Sequence, residues 1–222
     1  MLILFPAVAL FFTTGFTRDI LYPSKHAACY VAFLGLILGA LFCTVDWIFF
    51  LPVHFAVYNY VTEFLSLLIP ETLIPFLLCF ITLFIFFKES SIYKLRTFAY
   101  MLFGFYAVQL PYFLIQRYDV LSPFLLFLRP VLQLGVCFSA YALFSLVKKP
   151  SSGKNITLAV IAFPLFLIMY CTPTLIETAW FLGADAQIWV TLSIVYIFLS
   201  FVVFPILAKI TSKPEATSSE QE

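Results

Sequence analysis

The sequence predicts an all-α, polytopic integral membrane protein with seven transmembrane helices, N-terminus outside and C-terminus cytoplasmic, plus one outer interfacial helix. Three observations predict it. The chain is 64% hydrophobic and only 10% charged, whereas soluble domains run near ~45–50% and ~25%. Apolar runs recur at lengths close to the ~20 residues that cross a ~30 Å hydrocarbon layer. Lysine and arginine fall almost entirely in alternate connections between those runs.

The elements follow in chain order. Residues 1 to 17, MLILFPAVALFFTTGFT, end at Arg18. They lack a basic leading segment and a small-x-small cleavage site, so a short first span is preferred to a signal peptide. The second run covers 27 to 45 and continues towards Phe50. Pro52 then interrupts it and permits a change of direction. Residues 53 to 68 form the interfacial segment. His54, Tyr58, Asn59, Thr62 and Glu63 share one half of a helical wheel there, and Val53, Val57, Tyr60, Val61 and Phe64 fall mostly on the other, with Phe55 and Leu65 intruding. The third run, at about 70 to 87, opens with IPETLIP and closes at Lys88. The fourth covers 97 to 116, the fifth about 121 to 147 with Arg129 inside it, the sixth 155 to 176 and the seventh 186 to 208. Residues 1 to 210 thus make one transmembrane domain. The polar remainder, 211 to 222, has no apolar periodicity and reads as a disordered cytoplasmic tail.

Charge placement supports the count. With seven spans, one set of connections carries Arg18, Lys25, Lys88, Lys94, Arg96, Lys148, Lys149, Lys154, Lys209 and Lys213, and the other only Arg117 and Arg129. Basic residues mark cytoplasmic loops. The triplet Asn155-Ile156-Thr157 therefore falls on the cytoplasmic side, where it would escape glycosylation.

Several function classes lose support. No basic cluster suits nucleic acid. The five cysteines all lie in apolar runs without a CxxC pair, so they read as packing residues rather than disulfides or zinc ligands. No HExxH, GxSxG, Walker lysine or Rossmann glycine pattern is present, and no cofactor or metal is expected. His26 and His54 fall on opposite sides of the membrane, which excludes a multi-histidine site. Gly35 and Gly39 form a GxxxG pair, read as packing within the bundle.

The candidate site residues are Asp46, His54, Asn59, Glu63, Arg129, Gln133 and Glu177. An interfacial position accounts for the first four without any function. Alternatively, they rim an outward-facing cavity joined by Arg129, Glu177, Asp185, Gln109 and Gln133. Arg129 lies about 12 Å below the outer end of its span at the helical rise. At that depth it must snorkel to the headgroups, pair with Asp46 or Glu177, or face an anionic ligand. Pro130 follows it and could free backbone carbonyls.

A faint echo links the second and sixth runs. Pro23-Ser24 leads to Cys43-Thr44 and Asp46-Trp47, and Pro150-Ser151 leads to Cys171-Thr172, Glu177 and Trp180. A three-plus-one-plus-three repeat would place a substrate site between the halves. The expected function is a small-solute transporter or permease subunit, with a non-catalytic membrane subunit as the alternative and an intramembrane enzyme third. The expected partners are the lipid bilayer and either a small solute or another membrane protein; the expected location is the plasma (inner) membrane.

Overall fold

A computed structural model describes residues 25–49, 59–86, 91–116, 122–146 and 153–212. The described residues are helical apart from short caps and turns: α1 (Lys25–Phe49), α2 (Tyr60–Leu68), α3 (Ile74–Phe86), α4 (Ser91–Gln116), α5 (Arg129–Leu146), α6 (Gly153–Phe181), α7 (Ala186–Phe198) and α8 (Phe204–Ser212). Wider π-turns at Ile69–Leu73, Phe124–Leu128 and Leu199–Val203 join α2 to α3, lead into α5, and join α7 to α8. Among the described residues, six helices are long and apolar enough to cross a membrane. Helix is the form such sequences need in lipid, where every backbone N–H and C=O must be satisfied within the segment. The expected first span at 1 to 17 lies outside the described residues, as does His54.

Two boundaries differ from the sequence reading. The helix beginning at Tyr60 runs without a break to Phe86, 27 residues in all, so residues 60 to 68 are continuous with the third run and do not form a separate helix. Its start is fixed locally. Asn59 Oδ1 accepts from the Thr62 N–H at 2.9 Å, and the Asn59 N–H donates to Thr62 Oγ1 at 3.1 Å, a reciprocal cap that satisfies two otherwise orphaned donors. Pro70 does not stop the helix and stands at the start of the π-turn. The second difference is at the end of α6, which extends past 176 to Phe181 and so carries Glu177 within the helix. At the C-terminal end, α8 runs to Ser212, and the rest of the expected tail lies outside the described residues.

The π-turns share a cause. Each ends two residues before a proline: Leu73 before Pro75, Leu128 before Pro130, Val203 before Pro205. A proline ring clashes with the carbonyl four residues earlier. Those carbonyls belong to Glu71, Leu126 and Phe201, the central residue of each π-turn. Widening the turn there moves the carbonyl out of the way and keeps the helix continuous. Pro111, Pro164 and Pro173 sit in ordinary α-helix, so a proline permits the π-turn without compelling it.

Helices α1 and α4 approach most closely, and glycine is the reason. A Cβ on Gly35 would stand 2.1 Å from the Met101 carbonyl oxygen, and one on Gly104 would stand 1.9 Å from that of Ala32. Gly39 faces the Phe105 carbonyl in the same way. The GxxxG pair therefore packs inside the bundle, as small residues do where backbones meet in membranes. Between α3, α4, α5 and α6, Phe76, Phe98, Phe144, Phe166 and Tyr170 form a buried aromatic layer. Phe98 and Phe166 meet edge-to-face at 5.9 Å, and Phe76 meets Tyr170 at 5.5 Å. Cys43, Cys79 and Cys137 are buried free thiols within this packing.

Helices α6 and α7 are linked by a tight turn. Gly183 adopts φ +69°, the left-handed conformation glycine tolerates. The Asp185 carboxylate then caps α7 by accepting from the Gln187 N–H at 3.0 Å. Helix α5 is tied by polar contacts to α7 and to the π-turn that follows it: Ser139 Oγ donates to Ser200 Oγ at 3.1 Å and Tyr196 Oη to the Leu132 carbonyl at 3.2 Å.

Candidate functional site

The polar centre of the bundle is built on Arg129. It begins α5 directly after a π-turn and is only 3% exposed, so it does not snorkel to the surface. Its Nη2 donates to Glu71 Oε2, and its Nε lies 3.2 Å from Glu177 Oε2. The Nε contact is an ion pair by distance, although its N–H is not directed at that oxygen. The guanidinium carbon also sits 5.1 Å from the centroid of the Phe113 ring, within cation–π range. Both glutamates are as buried as the arginine.

Each residue reaches this point for a local reason. Glu71 occupies the centre of the first π-turn, between Pro70 and Pro75. A π-turn adds a residue to the turn, so neighbours that would diverge on an α-helix face the same way. Glu71 and Thr72 are accordingly both buried. Thr72 Oγ1 hydrogen-bonds Thr174 Oγ1 at 2.6 Å, and Thr178 Oγ1 donates to the Thr174 carbonyl at 2.8 Å. Glu177 lies one turn beyond Thr174 on α6, so the threonine contact and the ion pair clamp the Glu71 turn to α6 side by side. Phe113 and Tyr106 come from α4, and Tyr106 lies within electrostatic reach of Arg129 and beside Tyr170.

The sequence-predicted residues divide into three groups. Arg129 and Glu177 come together as one of the proposed pairings. Gln133, one turn along α5, and Glu63, two turns before Glu71 on the adjoining α2, are buried nearby in the sequence of each helix. Asp46 is also buried, but it accepts from Tyr112 Oη at 2.8 Å. The alternative pairing of Arg129 with Asp46 is therefore replaced by Arg129 with Glu71 and Glu177. Asn59 and Asp185 serve as helix caps, which gives each a structural task at an exposed helix start. His54 lies outside the described residues.

Sequence reasoning missed Glu71 as a partner. The sequence places it only within IPETLIP, the opening of the third run. The available signal was a carboxylate flanked by prolines inside an apolar stretch, in a chain with one intramembrane arginine to neutralise. The faint repeat is echoed only locally. Thr44 and Thr172 each donate to the carbonyl four residues back, at 2.8 and 2.7 Å, but Asp46 and Glu177 then take unrelated partners.

Three buried donor nitrogens here make no hydrogen bond among the described residues: Nε and Nη1 of Arg129, and Nε2 of Gln109 on α4. Among the described residues no cluster of histidine, cysteine and carboxylate side chains could hold a metal ion. Comparison with protein-family models, curated proteins and solved structures finds no match for this chain.

Proposed function

We propose that the protein is a small-solute transporter or permease subunit whose binding centre is Arg129 with Glu71 and Glu177. The observation that carries this reading is a buried guanidinium held by two carboxylates where two spanning segments both depart from regular helix. Ionisable groups inside a membrane are costly and mark solute or ion paths. Transporters place such groups at helix discontinuities, where backbone and side chains line a cavity rather than meet lipid. A purely structural ion pair would be served equally well by apolar packing of the same volume.

In this reading the seven-span, N-outside arrangement stands, with Arg129 and Glu177 near the outer ends of their spans. The 27-residue helix Tyr60–Phe86 is about 40 Å long at the helical rise, longer than the ~30 Å hydrocarbon layer. Its capped start at Asn59 then projects into the outer interface, which accounts for the polar residues around it. The plasma membrane is the proposed location.

The alternative, a non-catalytic subunit of a larger complex, draws on the outward face of α7, where Ile188, Ile194, Val195 and Phe198 are all exposed. Lipid covers such a face as readily as a protein does. Native mass spectrometry of protein extracted gently from its own membranes separates the two readings. A small molecule retained by a lone chain or homo-oligomer is the expected result. A stoichiometric second protein with no bound solute would overturn it.

A further inference from the structure

We infer that the Arg129 centre recognises a small polar solute carrying both an acceptor oxygen and an N–H donor, with Gln109 as a binding residue. The inference rests on the solute-site reading above and adds the chemistry of the solute and a residue that the ion pairs alone do not identify.

The starting point is the donors that no carboxylate faces or satisfies, Arg129 Nη1 and Gln109 Nε2, beside an Arg129 Nε that is paired with Glu177 by distance only. Arg129 is buried, and its Nη2 and Nε nitrogens face Glu71 and Glu177, while Nη1 makes no hydrogen bond among the described residues. Gln109 is 2% exposed, and its Nε2 likewise makes none. Burying an amide or guanidinium N–H without a partner costs free energy, so such groups sit where something else supplies the acceptor. Gln109 follows Tyr106 by three residues and precedes Phe113 by four, which places all three on one face of α4. Phe113 packs on the Arg129 guanidinium and Tyr106 lies within its electrostatic reach. The carboxamide of Gln109 thus belongs to the helix face that meets Arg129.

The charges around this point select among acceptors. A simple anion would satisfy both donors but would meet the carboxylates of Glu71 and Glu177 on the same guanidinium. A simple cation would suit the carboxylates and leave both donors unanswered. A solute with an oxygen for Arg129 Nη1 and Gln109 Nε2, and an N–H for a glutamate oxygen, satisfies both. A carboxylate oxygen accepts more than one donor, so it can serve arginine and solute together. Amino acids and small primary amides share this chemistry. Phe113 and Tyr106 give the solute an aromatic wall, and the layer of Phe76, Phe98 and Phe166 closes the bundle about one to three turns further along.

The test uses the full chain in lipid nanodiscs and four probes: glycine, acetamide, acetate and methylammonium. Binding is read by the shift in thermal unfolding and by calorimetry. Glycine or acetamide is expected to bind, with acetate and methylammonium at least tenfold weaker. Glycine alone would assign the site to amino acids, and acetamide binding equally well would assign it to amides. Gln109→Met keeps the length of the side chain and removes the donor, so it is expected to weaken binding about tenfold, the scale of one buried hydrogen bond. Gln109→Glu serves as the second variant should the first fail to fold. The inference is overturned if none of the four probes binds, if acetate or methylammonium binds as tightly as glycine, or if a folded Gln109 variant binds unchanged. A high-resolution structure with one ordered water between the two donors and no probe density in saturating glycine would overturn it too. Binding without flux in proteoliposomes would contradict the transport reading alone, and flux of another solute without probe binding would contradict this inference alone.

Discussion

Arg129 engages two carboxylates through different nitrogens, and that division decides what its substitution does. Lysine offers a compact charge with no planar fork, so it reaches one glutamate or the other but not both in the arginine geometry. Arg129→Lys is therefore expected to lose solute binding despite keeping its charge. Because Arg129 and Glu71 are in contact and buried together, their substitutions should not add. A cycle of Arg129→Gln, Glu71→Gln and the double variant, followed by equilibrium unfolding in mixed micelles, should give a coupling of about 1–3 kcal/mol. A coupling near zero would make the contact incidental. Away from this centre, Tyr112→Phe removes one donor to the buried Asp46 carboxylate. It is expected to cost about 1.5–3 kcal/mol of stability and to leave solute binding intact.

At the scale of the element, the prolines and glycines carry the information. Gly104 has no room for a side chain, since a Cβ would fall 1.9 Å from the Ala32 carbonyl oxygen. Backbone cannot yield as a flexible side chain can, so Gly104→Ala should part α1 from α4 at a cost of at least about 1–3 kcal/mol. Gly183 faces open space but holds φ +69°, so Gly183→Ala should cost only about 1 kcal/mol. The contrast between the two, measured by thermal unfolding, separates steric crowding from backbone conformation. For the π-turns, Pro130→Ala removes the ring that favours the wide turn. Relaxation to an α-turn would rotate the preceding segment by about 100° relative to α5. The expected outcome is full helicity by circular dichroism with solute binding lost.

These features also show how far the sequence could be read. Apolar length and charge breaks placed most helices within a few residues, because hydrophobic burial and backbone satisfaction act locally along the chain. The GxxxG pair was legible as a packing surface for the same reason, but its partner Gly104 was not, since helix–helix register is a tertiary property. Arg129 was legible as anomalous, and Glu177 as one of its two proposed partners. Glu71 was not, because it stands at the opening of the third run, whereas the structure carries a continuous helix across it from Tyr60 and turns it inward at a π-turn. Gln109 is singled out only by a buried Nε2 without a hydrogen-bond partner among the described residues, on the face of α4 that carries Phe113 by helical spacing.

For the whole molecule, the six candidate crossings among the described residues are an even number and leave both described ends on the same side of the membrane, and the arrangement proposed here adds one crossing before α1 that puts the N-terminus on the other side. On a background lacking the native cysteines, Ser218→Cys should react with a membrane-impermeant thiol reagent only after cells are opened. A cysteine placed at Ala184, in the turn between α6 and α7, should react on intact cells. The reverse pattern would invert the proposed orientation and put the Arg129 centre nearer the cytoplasm. The central claim is that Arg129, Glu71 and Glu177 act on a solute and do more than hold helices together. Its most direct test is uptake by proteoliposomes holding the wild type, Arg129→Lys or Glu177→Gln, using the solute released from the purified protein and checking each variant for a single folded species. Loss of uptake in variants that remain folded and inserted is the predicted result. Uptake at the wild-type rate in either folded variant would contradict it and leave the triad as an internal fastening of the bundle.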